Sequence, residues 1–380
     1  MTIPFNRPGL HGRELEYIND AIQRGKLAGD GYYTSQSNAL IVNYTDAEAA
    51  LLTHSATAAL EMAAILLDLA PGDEVIMPSY TFVSTANAVV MRGATPVFVD
   101  IRRDTLNIDP LKIETAITKK TKAIFVVHYA GVICDMESIV DIATRYGLPI
   151  VEDAAQALLS ERNGKKAGSF GAMSAFSFHE TKNIISGEGG ALAISDPAYI
   201  ARAEIIREKG TNRKQFFRGA VDKYTWVDLG SSYLPSELTA SFLYAQLEIA
   251  ENLTHDRLAA WDHYHAALEG LEARGFIERP LVLPEGQTHN AHMYQILLPT
   301  PDKRAAFIKV MKAKGIITPF HYVPLHSAPA GKKFGRVSGS MAITNDISSR
   351  LVRLPMFAGV AKEQDEIIES IISSINSLNA

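Results

Sequence analysis

From residue 50 to 200, short apolar runs rich in Val and Ile alternate with stretches whose apolar positions recur at helical spacing. The runs predict strands over 74–78, 95–100, 123–128, 149–152, 175–178 and 191–195, and the stretches between them predict helices over 57–69, 81–92, 135–146 and 200–207. Near-continuous apolar strands separated by helices imply a mostly parallel sheet covered on both faces. After about residue 235 the pattern changes. Ser236 and Glu237 open a long helical run in which Leu238, Phe242, Ala245 and Ile249 fall on one stripe. A smaller α/β unit follows, with strands predicted over 293–298 and 318–323 and a final helix from about Lys362. The chain therefore divides into a large domain, 1–240, and a small C-terminal domain, 241–380.

Composition narrows the class. The 380 residues are 47% hydrophobic and 21% charged, as in ordinary globular proteins. Cys134 is the single cysteine, which excludes an intramolecular disulfide framework and a cysteine-rich metal site and fits a reducing compartment. The first ten residues contain Pro4, Arg7 and Pro8 and no signal-peptide core. The longest apolar stretch, 123–134, is interrupted by His128 and is too short to cross a bilayer, so a cytoplasmic protein with no membrane partner is expected. A net charge of −5 argues against nucleic-acid binding through a basic surface. Residues 202–223 depart from that average, with seven basic side chains against three acidic ones. Such a run is either a solvated face or a local attraction for an anionic substrate.

In an open parallel sheet, ligands collect at the carboxyl ends of strands, where loops run into helices. Three such loops carry candidate chemistry. In Thr53-His54-Ser55-Ala56-Thr57-Ala58-Ala59, small residues let the backbone approach a ligand just ahead of unpaired helical N–H groups. That is a ready anion site, although Ser55 or Thr57 can equally be a plain helix cap. In Asp153-Ala154-Ala155-Gln156, an acid follows an apolar strand directly and is either a cap or a residue aimed into the crevice. In the third, Lys182 stands between an apolar strand and the turn Gly187-Glu188-Gly189-Gly190. A lone lysine is more often solvated than nucleophilic, and glycines alone can simply reverse the chain. No P-loop or complete G-x-G-x-x-G pattern is present, which lowers the case for an ATPase or a dinucleotide oxidoreductase.

Together the loops supply what pyridoxal 5′-phosphate (PLP) chemistry needs. A lysine amine must condense with an aldehyde, a carboxylate must keep the pyridine nitrogen protonated, and a helix N-terminus must take the phosphate. Phe82 either covers the ring or fills the core. His289 and His292, read with His321 and His326, lack the cysteine or paired acids of a metal centre, so no metal is expected.

The ordered motifs Pro78-Ser79-Tyr80-Thr81-Phe82, Glu152-Asp153-Ala154-Ala155-Gln156, Phe176-Ser177-Phe178-His179-Glu180-Thr181-Lys182 and Gly187-Glu188-Gly189-Gly190 resemble those of the DegT/DnrJ/EryC1/StrS sugar aminotransferases. The resemblance extends from Pro4-Phe5-Asn6 to Arg353-Leu354-Pro355. It implies an aspartate-aminotransferase-like α/β fold (PLP fold type I) and a homodimer with active sites at the subunit interface. Carried over residue by residue, Lys182 is the Schiff-base lysine and Asp153 pairs with the pyridinium nitrogen. Gln156 bonds the phenolic oxygen, Phe82 stacks on the ring, and Ala56, Thr57 and Ser177 hold the phosphate. Relatives with histidine at the lysine position are sugar dehydratases, so Lys182 favours transamination. Many members carry an asparagine-tyrosine-arginine-methionine stretch whose asparagine reaches the partner subunit's phosphate. Here the stretch reads Gly230-Ser231-Ser232-Tyr233-Leu234-Pro235, leaving Ser232 as the donor there.

Arg207-Glu208-Lys209-Gly210-Thr211-Asn212-Arg213, Gln215-Phe216-Phe217-Arg218 and His321-Tyr322-Val323-Pro324-Leu325-His326 further resemble one branch, which serves enterobacterial common antigen synthesis. That branch moves the amino group of L-glutamate to C4 of dTDP-4-dehydro-6-deoxyglucose, giving the galacto product. The implied substrate contacts are His179, Arg213, Arg218, His321, Tyr322 and His326, and the basic segment suits the acceptor's diphosphate. The same scaffold also admits another nucleotide-sugar aminotransferase, a PLP-dependent sugar dehydratase or a non-catalytic PLP-binding regulator.

Overall fold

The computed structural model describes residues 2–10 and 12–379, and ten of its strands position the features that matter here. They are β1 (Ala49–Thr53), β2 (Glu74–Pro78), β3 (Thr95–Val99), β4 (Thr121–Val127), β5 (Ile150–Asp153), β6 (Met173–Ser177), β7 (Gly190–Ile194), β8 (Tyr294–Leu297), β9 (Arg336–Val337) and β10 (Leu351–Leu354). Eight form one sheet in the order β1-β7-β6-β5-β4-β2-β3-β9. β7 runs antiparallel to both neighbours, and every other adjacent pair is parallel. The fold is thus the mixed α/β, mostly parallel architecture that the alternation of runs predicts.

Alternation along a strand explains the two covered faces. In β2, Ile76 packs into one apolar layer while Val75 and Met77 pack into the other. One layer is closed by α1 (Ala56–Leu66) and α2 (Val83–Val90), and the opposite layer includes α3 (Glu237–Glu248). Four apolar residues in a row, Val75 to Pro78, are readable because β2 is buried along its whole length.

The small unit has its own core, in which Trp261, Tyr264, Phe307, Val352 and Leu354 meet. β8 and β10 form its antiparallel pair. Ala240, Leu243 and Leu247 of α3 belong to the large core, as does Leu253 of the following helix α4 (Ala250–Ala267). Packing changes over inside α4, before Ala260, rather than at residue 240. The strand predicted over 318–323 is absent, and that stretch forms no regular element. Pro319 within the stretch and Pro324 directly after it account for this, since proline removes a ladder donor.

Candidate active site

At the carboxyl end of β5, two neighbouring acids point to opposite faces. Glu152 is fully buried and accepts four hydrogen bonds: from the N–H groups of Gly168 (2.9 Å), Phe170 (2.9 Å) and Gly171 (2.7 Å), and from His128 Nε2 (2.8 Å). His128 Nδ1 accepts from the Cys134 N–H at 3.2 Å, so the ring proton sits on Nε2 and is donated to Glu152. A carboxylate with four donors is stable without solvent and pins the strand end.

Asp153, facing the other way, is also buried, and desolvation raises its pKa. Thr85 Oγ1 donates to Oδ2 at 2.7 Å and the Ala155 N–H to Oδ1 at 3.2 Å. Both bonds favour the ionised form, as does the Lys182 amine nearby.

Lys182 lies in the loop between β6 and β7. The loop is closed by Ser186 N–H to Phe178 O (2.7 Å) and Phe178 N–H to Gly189 O (2.8 Å). Burial brings the Lys182 pKa down to about 8, Arg353 pushes the same way, and Asp153 opposes both. The next residue is clamped: Asn183 Nδ2 donates to Asn290 O at 2.7 Å and Oδ1 meets His292 Nδ1 at 3.0 Å. Asn290 in turn donates to Gln156 O and Leu158 O, both at 2.9 Å. One asparagine therefore ties the lysine loop to the loop that follows Asp153.

Ser55 caps α1, accepting from the Ala58 N–H at 3.1 Å. The N–H groups of Ala56 and Thr57 have no acceptor among the described residues. Thr57 Oγ1 meets Ser84 Oγ at 2.7 Å, linking α1 to α2. Gly190 lies so close to this turn that an added Cβ would strike the backbone of Ser55 and Ala56. Ser177 completes the cradle from the end of β6. Lys182, Asp153 and this cradle line one cavity of about 500 Å³. The residues fit PLP: an amine of lowered pKa, a buried acid held by neutral donors, and a dipolar turn with free N–H groups.

The structure brings other predicted residues to the same cavity. Phe82, 55% exposed, lines it together with His179, His321 and Tyr322. Gln156 donates to the Tyr322 hydroxyl at 3.1 Å and accepts from the Ala130 N–H at 2.7 Å. His321 Nδ1 meets the Tyr129 hydroxyl at 3.0 Å.

Arg213, Arg218, Ser232 and His326 are not among the described residues lining it. Arg218 forms a two-pronged pair with Glu204 (2.9 and 2.8 Å), Arg213 reaches Glu208 at 3.7 Å, and His326 bonds Ser79 at 2.7 Å. Five of the seven basic groups in 202–223 are ion-paired: Arg202, Arg207, Arg213, Lys214 and Arg218. His289 sits apart from His292, against Trp261. Among the described residues no group of His, Cys, Asp or Glu is arranged to hold a metal, and no helix is long and apolar enough to cross a membrane.

Thr85, Asn183, Asn290 and Arg353 have roles at the site that sequence reasoning missed. Thr85 had a readable signal, falling four residues after Thr81 on the helix that Phe82 opens. The others act through partners more than 100 residues away or, for Arg353, through the lack of one.

Comparison with known proteins agrees with this geometry. Residues 9–372 match the model of the DegT/DnrJ/EryC1/StrS aminotransferase family. The spore coat polysaccharide biosynthesis protein SpsC of Bacillus subtilis is 31% identical over 380 residues, covering 97% of this chain and 96% of SpsC. The aminotransferase TlmJ of Streptoalloteichus hindustanus superimposes with a TM-score of 0.90 at 26% identity, covering 100% of this chain and 99% of TlmJ. Helicobacter pylori PseC, an aminotransferase involved in pseudoaminic acid biosynthesis, gives 0.90 at 25% identity over 99% of this chain and 100% of its own.

Proposed function

The chain belongs to the DegT/DnrJ/EryC1/StrS family of PLP-dependent sugar aminotransferases, and from that premise we propose that it moves the amino group of L-glutamate to C4 of dTDP-4-dehydro-6-deoxyglucose. The products are 2-oxoglutarate and the dTDP-linked 4-amino sugar of galacto configuration. The observation carrying the reading is the convergence of Lys182, Asp153 and the free N–H groups of α1 on one cavity.

PLP, when bound, supplies an electron sink for removal of the donor's α-proton. Asp153, whose ionised form is favoured by its Thr85 and Ala155 donors against the effect of burial, would hold a proton on the ring nitrogen. Ala56, Thr57 and Ser177 would hold its phosphate, Phe82 its ring and Gln156 its phenolic oxygen. Lys182 Nζ, with a pKa of about 8, is neutral in part near pH 7, so it accepts the α-proton and later returns it as the general acid. Run in reverse on the sugar ketone, the same transfers give ping-pong kinetics.

His179, His321 and Tyr322 shape the sugar pocket. Arg213, Arg218, His326 and Ser232 act on the nucleotide or the phosphate from a neighbouring subunit, in a cytoplasmic homodimer. The exposed apolar side chains Phe82, Val83, Phe217 and Trp226 support a second copy that covers them.

The test supplies glutamate and dTDP-4-dehydro-6-deoxyglucose and reads the product's C4 configuration by NMR. An axial 4-amine is the expected result. An equatorial amine overturns the acceptor assignment, and a deoxy sugar without nitrogen means a dehydratase.

A further inference from the structure

We propose that Arg353 is the anchor for the amino donor, its guanidinium holding the donor's α-carboxylate while Lys182 acts on the adjoining carbon. The inference rests on the aminotransferase reading and adds a carboxylate subsite to it.

The strand pattern delivers the side chain. In β10, Val352 and Leu354 pack into the small-domain core, so Arg353 between them leaves on the opposite face and lines the cavity. Its backbone is held by the ladder to Gln295 and by its N–H to Pro319 O at 2.9 Å. Its guanidinium rests 4.8 Å over the Phe5 ring.

No hydrogen-bond or ion-pair partner for that guanidinium exists among the described residues, and Nε is shut off from solvent unbonded. Arg350, three residues earlier, shows the usual solution. It bonds Asp346 (2.9 Å), Glu278 (2.9 Å) and Leu298 O (2.8 Å). A half-buried guanidinium without an anion is unfavourable, and a carboxylate arriving with the substrate satisfies it in a two-pronged geometry. Among the described residues lining the cavity, Arg353 is the one arginine.

Its location selects the ligand. The charge of Arg353 is felt at Lys182, His292 and His321, so it belongs to the reaction centre. An amino acid carries its α-carboxylate on the same carbon as the amine being transferred. A nucleotide sugar carries its diphosphate at C1, across the ring from C4.

The test uses holoenzyme with Arg353→Gln and Arg353→Lys, following loss of the cofactor's absorbance on adding glutamate and, separately, the half-reaction with the keto sugar. Arg353→Gln should raise the glutamate concentration for half-maximal rate by about 100-fold, with Lys restoring part of it. The keto-sugar half-reaction should change by less than about threefold. Calorimetry should show the unreactive dicarboxylate glutarate binding wild type and losing that affinity in Arg353→Gln. Should the Gln variant fold poorly, wild type alone still decides: glutamate must be preferred strongly over its α-amide, isoglutamine. A Gln variant with wild-type glutamate and glutarate affinity, or wild type indifferent to isoglutamine, overturns the anchor alone. An equal loss in the keto-sugar half-reaction overturns it too and reassigns Arg353 to the acceptor's diphosphate. Wild type inert toward glutamate overturns the aminotransferase reading itself.

Discussion

The Thr85 hydroxyl donates a 2.7 Å hydrogen bond to Oδ2 of the buried Asp153. Helix α2 thus contributes twice to the site, Phe82 at its start and Thr85 within it. Burial pushes the carboxyl toward its neutral form, and Thr85 is the largest opposing influence. A neutral acid cannot hold a proton on the ring nitrogen. Thr85→Val, nearly isosteric, should therefore lower kcat/KM for glutamate by about 10- to 100-fold, the loss of one hydrogen bond to a charged group. Thr85→Ser should recover most of it. Equal activity in the Val variant would mean that Asp153 stays ionised without this donor.

Lys182 offers a pH test. Its pKa of about 8 lies below the ordinary lysine range because the amine is buried. Only the neutral amine attacks an aldehyde, so capture of PLP by apoenzyme should accelerate as pH rises through about 8 and level off above it. Asp153 raises that pKa, so Asp153→Asn should move the midpoint lower. Absorbance stopped-flow reads both. A midpoint near 10 would place the amine in solvent. Lys182→Ala should abolish turnover, and near-wild-type rates on both substrates would remove the lysine from the mechanism.

Local pattern made some of this legible and left other parts invisible. β2 was readable because burial on both faces writes an unbroken apolar run. Asp153 and Lys182 stood out because each follows such a strand directly. β1, Ala-Ala-Leu-Leu-Thr, carries no period of its own and becomes a strand through its register with β7. The apolar content of 318–323 concealed Pro319 inside the stretch and Pro324 just after it, which disfavour a ladder. The charge of 202–223 is largely neutralised by Asp30, Asp68 and Asp228, whose proximity is a tertiary fact. The same holds for Arg353, since a missing partner leaves no trace in a sequence.

Glu152 is a positioning residue whose loss should appear first in stability. Three backbone N–H groups and His128 point at its carboxylate. Glu152→Gln replaces one acceptor oxygen with an NH2 facing donors, leaving buried N–H groups unpaired at about 1–3 kcal/mol each. A clearly lower melting temperature by calorimetry is the expected outcome, with PLP still bound at low temperature. An unchanged melting temperature would show that the loop 168–171 rearranges freely.

Gly190 tests the phosphate cradle without removing a polar group. The start of β7 presses against the turn from Ser55 to Ala56, and any Cβ there would strike backbone atoms rather than a movable side chain. Gly190→Ala must therefore push the α1 N-terminus away from β7, misaligning the N–H groups of Ala56 and Thr57. Those groups are where a phosphate dianion gains most from the helix end. The variant should weaken PLP binding by at least about tenfold, a change on the order of one charge-assisted hydrogen bond. Fluorescence titration of apoenzyme measures that affinity directly. The phosphate-free aldehyde pyridoxal should lose far less, because it makes no use of the turn. If both ligands weakened equally, the damage would lie in the sheet edge and the cradle would have no special hold on phosphate.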